Sequence, residues 1–286
     1  MRVLVTGVKG QLGYDCVKEL KSRGYEDVLG IDIEDLDITD EKAVHAFVAN
    51  YKPDVIMHNA AWTAVDKAEQ FKDKVYAVNS LGPKYLAEAA AEVGAKIVYI
   101  STDYVFPGTG DQPYEPDDPT GPSSVYGSTK LEGEKFVKSA NPKHFIVRIS
   151  WVFGKNGNNF IKTMLRLSET KTDLSVIDDQ IGSPTYTVDL ARLLVDMIET
   201  EEYGTYHATN EGFCSWAEFA TEIFRQAKKA TVVHPVSTEE YMRLVPNQAK
   251  RPFNSRMSKA KLVAKGFRPL PTWQDALARY LKEISE

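Results

Sequence analysis

Cysteine is scarce in this chain: only Cys16 and Cys214 occur, far apart and in neither a CxxC nor a metal-type spacing. That excludes a disulfide framework and a thiolate zinc site, and it fits a reducing compartment. Positive charge is also in short supply. Lys and Arg number 35 against 40 Asp and Glu, a formal net charge of −5, so no general attraction draws the chain to nucleic acid. Long apolar runs are missing. Nothing approaches the ~18 residues of a membrane-spanning helix, and the stretch from Met1 to Thr6 enters a glycine turn too early for a secretory signal. Histidine is sparse, and His58, His144 and His207 fall in or beside apolar strand patterns with no second ligand at metal spacing; they read as core or strand-end residues. These absences predict a cytoplasmic protein with no nucleic-acid partner, no membrane partner and no metal.

What is present is the composition of a globular protein. The 286 residues are 43% hydrophobic, with 18 Gly and 14 Pro, enough to bury one large core or two smaller ones. Residues 2–6 form a β-branched run that ends at Gly7, and residues 11–23 then carry Leu12, Cys16, Val17 and Leu20 at helical spacing. The pattern recurs: a strand at 28–32, a helix with Val44, Phe47 and Val48, a strand at 54–58, a helix over 78–93, a strand at 96–100, a helix after Tyr126 and a strand at 144–150. Such alternation requires crossover connections, hence a mostly parallel sheet with helices on both faces. After Trp151 the rhythm loosens, with helices at 160–167, 188–199 and 215–229. The predicted fold class is α/β, a Rossmann-type doubly wound parallel sheet with a smaller C-terminal α/β substrate lobe. Residues 1–150 with roughly 172–205 are assigned to the dinucleotide-binding domain, and 151–171 with roughly 206–286 to the substrate-binding lobe. A lobe folded over the carboxyl ends of the strands closes a cleft there. The proline-rich segment 111–122 is the strongest loop, either a lid or a connection.

Gly7, Gly10 and Gly13 stand in GxxGxxG spacing between the first strand and its helix. Glycine permits the tight turn, and bare backbone N–H groups at a helix N-terminus favour a pyrophosphate. About 20 residues further on, Asp32 ends the second strand, placed to accept hydrogen bonds from adenosine ribose hydroxyls. A carboxylate there repels a ribose 2′-phosphate, which favours NADH; Lys9 in the loop offsets part of that repulsion, so NADPH stays open. Asn59, Ala60 and Ala61 follow the third strand, small enough either to admit a ribose or nicotinamide or simply to pack.

Tyr126 and Lys130 are four apart, on one face of a helix. A phenol with a solution pKa near ~10 is a poor acid at neutral pH, and an adjacent ammonium is expected to lower that value. Tyr126 then becomes a usable proton donor. Ser101, Thr102 and Asp103 directly follow the strand at 96–100, and the Thr102 hydroxyl is placed to hold an oxygen whose charge changes during reduction.

Glycine loop, strand-end aspartate, NAA, ST and YxxxK together resemble the extended short-chain dehydrogenase/reductase superfamily. The strings AWTAVDKAE at 61–69, STDYVFPGTG at 101–110, RISWV at 148–152 and RPFNSR at 251–256 are similar to those of the dTDP-4-dehydrorhamnose reductases, nearly end to end. The resemblance implies NAD(P)H-dependent reduction of the C4 ketone of dTDP-4-dehydro-L-rhamnose. By position it implies that Gly10, Gln11, Leu12, Asp32, Asp37, Ile38, Ala61, Trp62 and Thr63 line the cofactor. Thr102, Asp103 and Trp151 then meet the sugar of a dTDP-sugar substrate, and Arg251 or Arg256 the nucleotide. Tyr126 donates the proton, while Lys130 holds the nicotinamide ribose and tunes Tyr126. Some members of this family bridge dimers through Mg²⁺ held by acidic side chains; the glutamate used there aligns with Val188, beside Asp189, which argues against Mg²⁺ here. A homodimer stays open.

Two rivals share the fold. Sugar-nucleotide epimerases and 4,6-dehydratases have the same glycine loop and Tyr–Lys pair, but a dehydratase carries consecutive acids after the threonine, where this chain has Asp103 and Tyr104. A non-catalytic regulatory subunit, like the related beta subunit of methionine adenosyltransferase, is disfavoured by intact Thr102, Tyr126 and Lys130.

Overall fold

The computed structural model describes residues 1–245 and 248–285. Six parallel strands build the main sheet, in the spatial order Gly204–His207, His144–Ile149, Lys96–Thr102, Val55–His58, Val3–Thr6 and Val28–Ile31. Val3–Thr6, Val55–His58 and His144–Ile149 are buried along their whole length, as continuous apolar runs covered on both faces must be. Helices Gln11–Ser22 and Thr187–Ile198 cover one face through Leu12, Cys16, Leu190 and Leu194. Helices Glu41–Tyr51, Gly82–Glu92 and Val125–Ala140 cover the other through Val44, Leu86 and Val137. The strand order reverses beside Val3–Thr6, and a crevice opens there at the carboxyl ends of the strands.

A second core gathers Phe153, Ile161, Phe219, Phe224, Trp273 and Tyr280 from helices Phe160–Leu167, Trp216–Gln226 and Trp273–Ser285 and the segment before them. Its small sheet pairs Asp173–Ile177 with Val232–Val236. Strand pairing therefore departs from the expected division at 172–205 and 206–286. Residues 173–177 pair within the second lobe, while 204–207 add the sixth strand to the main sheet, because that strand lies in register against Phe145–Arg148.

The helix expected over 78–93 is three segments: Lys72–Tyr76, a π-helical turn Ala77–Leu81, and Gly82–Glu92. The wider turn swings Asn79 toward the loop after the third strand. Segment 111–122 is a fastened connection. Tyr114 exchanges backbone hydrogen bonds with Arg256 and Ser258, its ring stacks on Phe106, and the Pro116 carbonyl accepts from the buried Arg148 guanidinium. His58, His144 and His207 are buried as expected. Among the described residues no helix is long and apolar enough to cross a membrane.

Candidate active site

The glycine turn is sterically required. Gly7 sits at φ 71°, and a Cβ there would stand 2.8 Å from the Ala60 amide nitrogen; a Cβ on Gly13 would collide with the Gly7 carbonyl. Helix Gln11–Ser22 starts from Gly10, with no side-chain cap and no acid in its first turn. Its N–H groups are left for an anion. At the end of the second strand Asp32 accepts from the Lys9 and Ile33 amides, both at 2.9 Å, and the Lys9 ammonium is paired with Glu34 at 2.7 Å. Much of the positive charge expected to offset Asp32 is thus already matched by Glu34.

Thr6 organises the next strand end. Its hydroxyl accepts from the Asn59 and Ala60 amides at 3.2 and 3.1 Å and lies 2.9 Å from His58 Nδ1. With both lone pairs occupied the hydroxyl proton goes to Nδ1, so His58 is the neutral Nε2–H tautomer. Burial, with Lys130 adding to it, pushes the imidazole down to about 3, which agrees. Beyond Ala61, Asn79 grips Trp62 from both sides: Trp62 N–H donates to Oδ1 at 2.8 Å, and Nδ2 donates to the Trp62 carbonyl at 3.1 Å.

Helix Val125–Ala140 carries Tyr126 in its first turn. Ser124 caps the Gly127 amide, and Glu69 accepts from the Val125 amide at 2.8 Å. One turn on, the Lys130 ammonium lies 4.0 Å from the Tyr99 ring centroid. A further turn on, Glu134 forms a buried bidentate pair with Arg148, at 2.9 and 2.7 Å, and accepts from Ser101. Opposite the helix, Thr102 donates to Asp103 at 2.9 Å and accepts from the Tyr104 amide at 3.2 Å, and Ser255 donates to the other Asp103 oxygen.

One electrostatic expectation needs correction. The net shift of Tyr126 runs upward, where the Tyr–Lys spacing predicts a fall. Burial pushes the Tyr126 phenol up, the Asp103 carboxylate adds to this and the Thr102 hydroxyl opposes it, while burial pushes Lys130 down to about 7 against the pull of Glu134. Both groups lose water together, so each favours its neutral form and the ammonium is itself weakened. Tyr126 is therefore held as the protonated phenol. Burial likewise raises Asp103 to about 6, with Ser255 and Thr102 opposing.

A single cleft of about 830 Å³ brings these groups together. Gly7, Gly10, Gln11, Leu12, Gly13, Asp32, Asp37, Ile38, Ala61, Trp62 and Thr63 line it, as do Thr102, Asp103, Tyr126, Lys130 and Trp151. Arg251 and Arg256 lie outside this lining. Arg251 is drawn to Asp66 at 2.9 Å and Arg256 to Asn254 at 3.1 Å. Sequence reasoning missed Thr6, Asn79, Glu134, Arg148 and Trp216. Only Glu134 left a signal, as the third member of an i, i+4, i+8 series with Tyr126 and Lys130.

Val188 packs against the second core, and Asp189 is engaged by Arg279 at 2.6 and 2.7 Å and by Asn210 at 2.8 Å. Among the described residues, Glu41, His45 and Glu88 bring possible ligand atoms within 4.8 Å of one another on the outer helices. Glu92 already engages His45, and Lys84 engages Glu88.

The family model described as the RmlD substrate binding domain matches residues 1–286. The chain belongs to that family. It is 43% identical to the spore coat polysaccharide biosynthesis protein SpsK of Bacillus subtilis, covering 99% of this chain and 98% of that protein. The crystal structure of a dTDP-4-dehydrorhamnose reductase from Clostridium acetobutylicum is 46% identical and superposes with a TM-score of 0.96 over 100% of both chains. That of dTDP-4-dehydrorhamnose reductase from Bacillus anthracis, in complex with NADP, is 44% identical with a TM-score of 0.94 over 99% of both.

Proposed function

We propose that this RmlD-family chain reduces the C4 ketone of dTDP-4-dehydro-L-rhamnose to the alcohol of dTDP-L-rhamnose, at the expense of NADH or NADPH. The observation that carries this is the convergence of Tyr126, Lys130 and Thr102 on the cleft that also holds the glycine turn and Asp32. The uncapped helix start at Gly10, with a turn no side chain can enter, fits a pyrophosphate. Gly10, Gln11 and Leu12 hold that group, Asp32 the adenosine ribose, Asp37 and Ile38 the adenine side, and Ala61, Trp62 and Thr63 the nicotinamide side.

The nicotinamide supplies the hydride for C4. The rest falls to the chain. Lys130 holds the nicotinamide ribose beside Tyr126. Thr102, held by the Tyr104 amide, orients the C4 oxygen by turning its hydroxyl proton to it from Asp103, which keeps the proton of Ser255. Tyr126 gives its phenol proton to that oxygen as the C–H bond forms, so no alkoxide has to persist in a dry cleft. Asp103 at the end of a main-sheet strand, and Trp151 with the segment around Arg251 and Arg256 from the second lobe, bind the sugar nucleotide. Asp32, reinforced by Glu34 on Lys9, supports a preference for NADH, with NADPH accepted. A homodimer and a cytoplasmic location belong to the same proposal.

The test is direct. Protein given NADH or NADPH with dTDP-4-dehydrorhamnose should consume the reduced cofactor and yield dTDP-L-rhamnose. Failure with both cofactors overturns the proposal, and an epimerised ketone would favour the rival.

A further inference from the structure

Two tryptophans that pack against the second core meet in the cleft wall. Thr102 lies in register opposite Ile149, so Trp151 leaves the strand next to the one that presents Thr102. Its φ of +50° is left-handed, an outlier for so bulky a side chain that its neighbours must hold in place. Those neighbours are identifiable. Thr185 N–H donates to the Trp151 carbonyl at 3.1 Å, and Gly182 is so near the indole that a Cβ would stand 2.9 Å from it. Trp216 stacks on Trp151 with ring centroids 3.7 Å apart and planes inclined by 16°. Trp216 itself opens helix Trp216–Gln226, fixed by a reciprocal Ser215–Glu218 cap, and Phe160 backs it at 4.6 Å.

Under the reduction proposed above, on which this inference rests, C4 of the sugar lies at Tyr126 and Thr102. The C5 substituent is two bonds from C4 and so falls at the same end. Of the polar groups there, Thr102 and Asp103 face the C4 side under that reading, Ser255 donates to Asp103, and Ser150 donates to the Ser183 carbonyl. Beside them Ile149, Trp151 and Trp216 present apolar surface to the cleft.

We propose that Trp216 is a specificity-determining residue which completes, with Trp151, an apolar wall for the C5 substituent, so that the site takes a 6-deoxy sugar nucleotide over its 6-hydroxy counterpart. A methyl group enters such a wall without loss, whereas a hydroxyl gives up water and gains no partner. Apolar pockets discriminate at this level by roughly 10- to 100-fold.

The probes are dTDP-L-rhamnose and dTDP-L-mannose, which differ only in the C6 hydroxyl, titrated calorimetrically into the full chain saturated with NADH, with which neither alcohol reacts. The wild type should bind the rhamnosyl nucleotide at least ~10-fold tighter. Trp216→Ala should bring the ratio below about threefold, and Trp216→Phe should keep most of it. A separate NADH titration of each variant shows that it is folded. A wild-type ratio near one, or a ratio unchanged in Trp216→Ala, overturns the assignment. The two readings separate cleanly. Reduction of the ketosugar without discrimination sinks the wall alone, discrimination without reduction sinks the reductase reading and leaves the wall, and binding of neither nucleotide sinks both.

Discussion

Tyr126 and Lys130 lie one helical turn apart, Tyr126 half-buried on the cleft and Lys130 buried beneath it, and that loss of water shapes their chemistry. The spacing was legible in the sequence; the direction of the shifts was not, because the depth of burial is set by Tyr99, Asp103 and Glu134, which arrive from other parts of the fold or other turns of the helix. Removing only the phenol hydroxyl tests the donor role. Tyr126→Phe should lower kcat by roughly 10²- to 10⁴-fold while the dissociation constant for NADH, read by fluorescence titration, stays within about twofold. Lys130 makes a separate prediction about stability. Its folded pKa is depressed to about 7 from 10.5, so between these values the unfolded chain binds more protons than the native one. Stability should therefore rise as pH increases through this window, the penalty of a buried ammonium being full below about pH 7 and relieved above it. In Lys130→Met the urea midpoint measured at pH 7 and pH 9 should gain less from the higher pH than in the wild type; an equal gain would show that Lys130 is not the group responsible.

At the level of elements, the cofactor loop is held from behind by residues that no local pattern announces. A π-helical turn has no residue signature, so nothing in the 78–93 periodicity pointed to Asn79 or to its two hydrogen bonds with Trp62. Thr6 and His58 look like ordinary strand residues until the fold sets them beside Asn59 and Ala60. The glycine turn, by contrast, was readable because its requirement is local and steric. Asn79→Ala leaves the half-buried Trp62 N–H without its partner, at a cost of about 0.5–1.5 kcal/mol in unfolding free energy. It should also loosen NADH binding by about tenfold, equivalent to ~1.4 kcal/mol; unchanged cofactor affinity would separate Asn79 from the site. Beneath the catalytic helix, Glu134 and Arg148 form a pair whose side chains are each 6% exposed. Breaking such a pair strands a buried charge, so Glu134→Leu should cost about 3–5 kcal/mol by chemical denaturation, far more than an exposed helical ion pair.

Across the whole molecule, the segment from Gln248 to Ser258 straps the second lobe to the first. Ala249 N–H and the Arg251 guanidinium both reach Asp66, Ser255 reaches Asp103, and the Asn254 amide donates to the carbonyls of Thr109 and Gln112. The alternation of strands and helices made the main sheet legible from sequence. The lobe boundary was not, because the chain crosses between lobes repeatedly and pairing at 173–177 and 204–207 depends on partners distant in sequence. The Arg251–Asp66 contact is partly solvated, with side-chain exposures of 26% and 46%, so Asp66→Asn should change stability by less than ~1 kcal/mol. Its effect should appear in the KM for the sugar nucleotide, with kcat nearly unchanged, if the strap closes the substrate end of the cleft. The central claim is hydride delivery to C4 with proton donation by Tyr126. It is tested most directly with NADH deuterated on the transferring face of its nicotinamide C4 and unlabelled dTDP-4-dehydrorhamnose, the product being read by NMR. The account predicts deuterium at C4 of the rhamnosyl ring with the wild type and almost none in the same time with Tyr126→Phe. Deuterium at another carbon, or product formed by Tyr126→Phe at the wild-type rate, would contradict it.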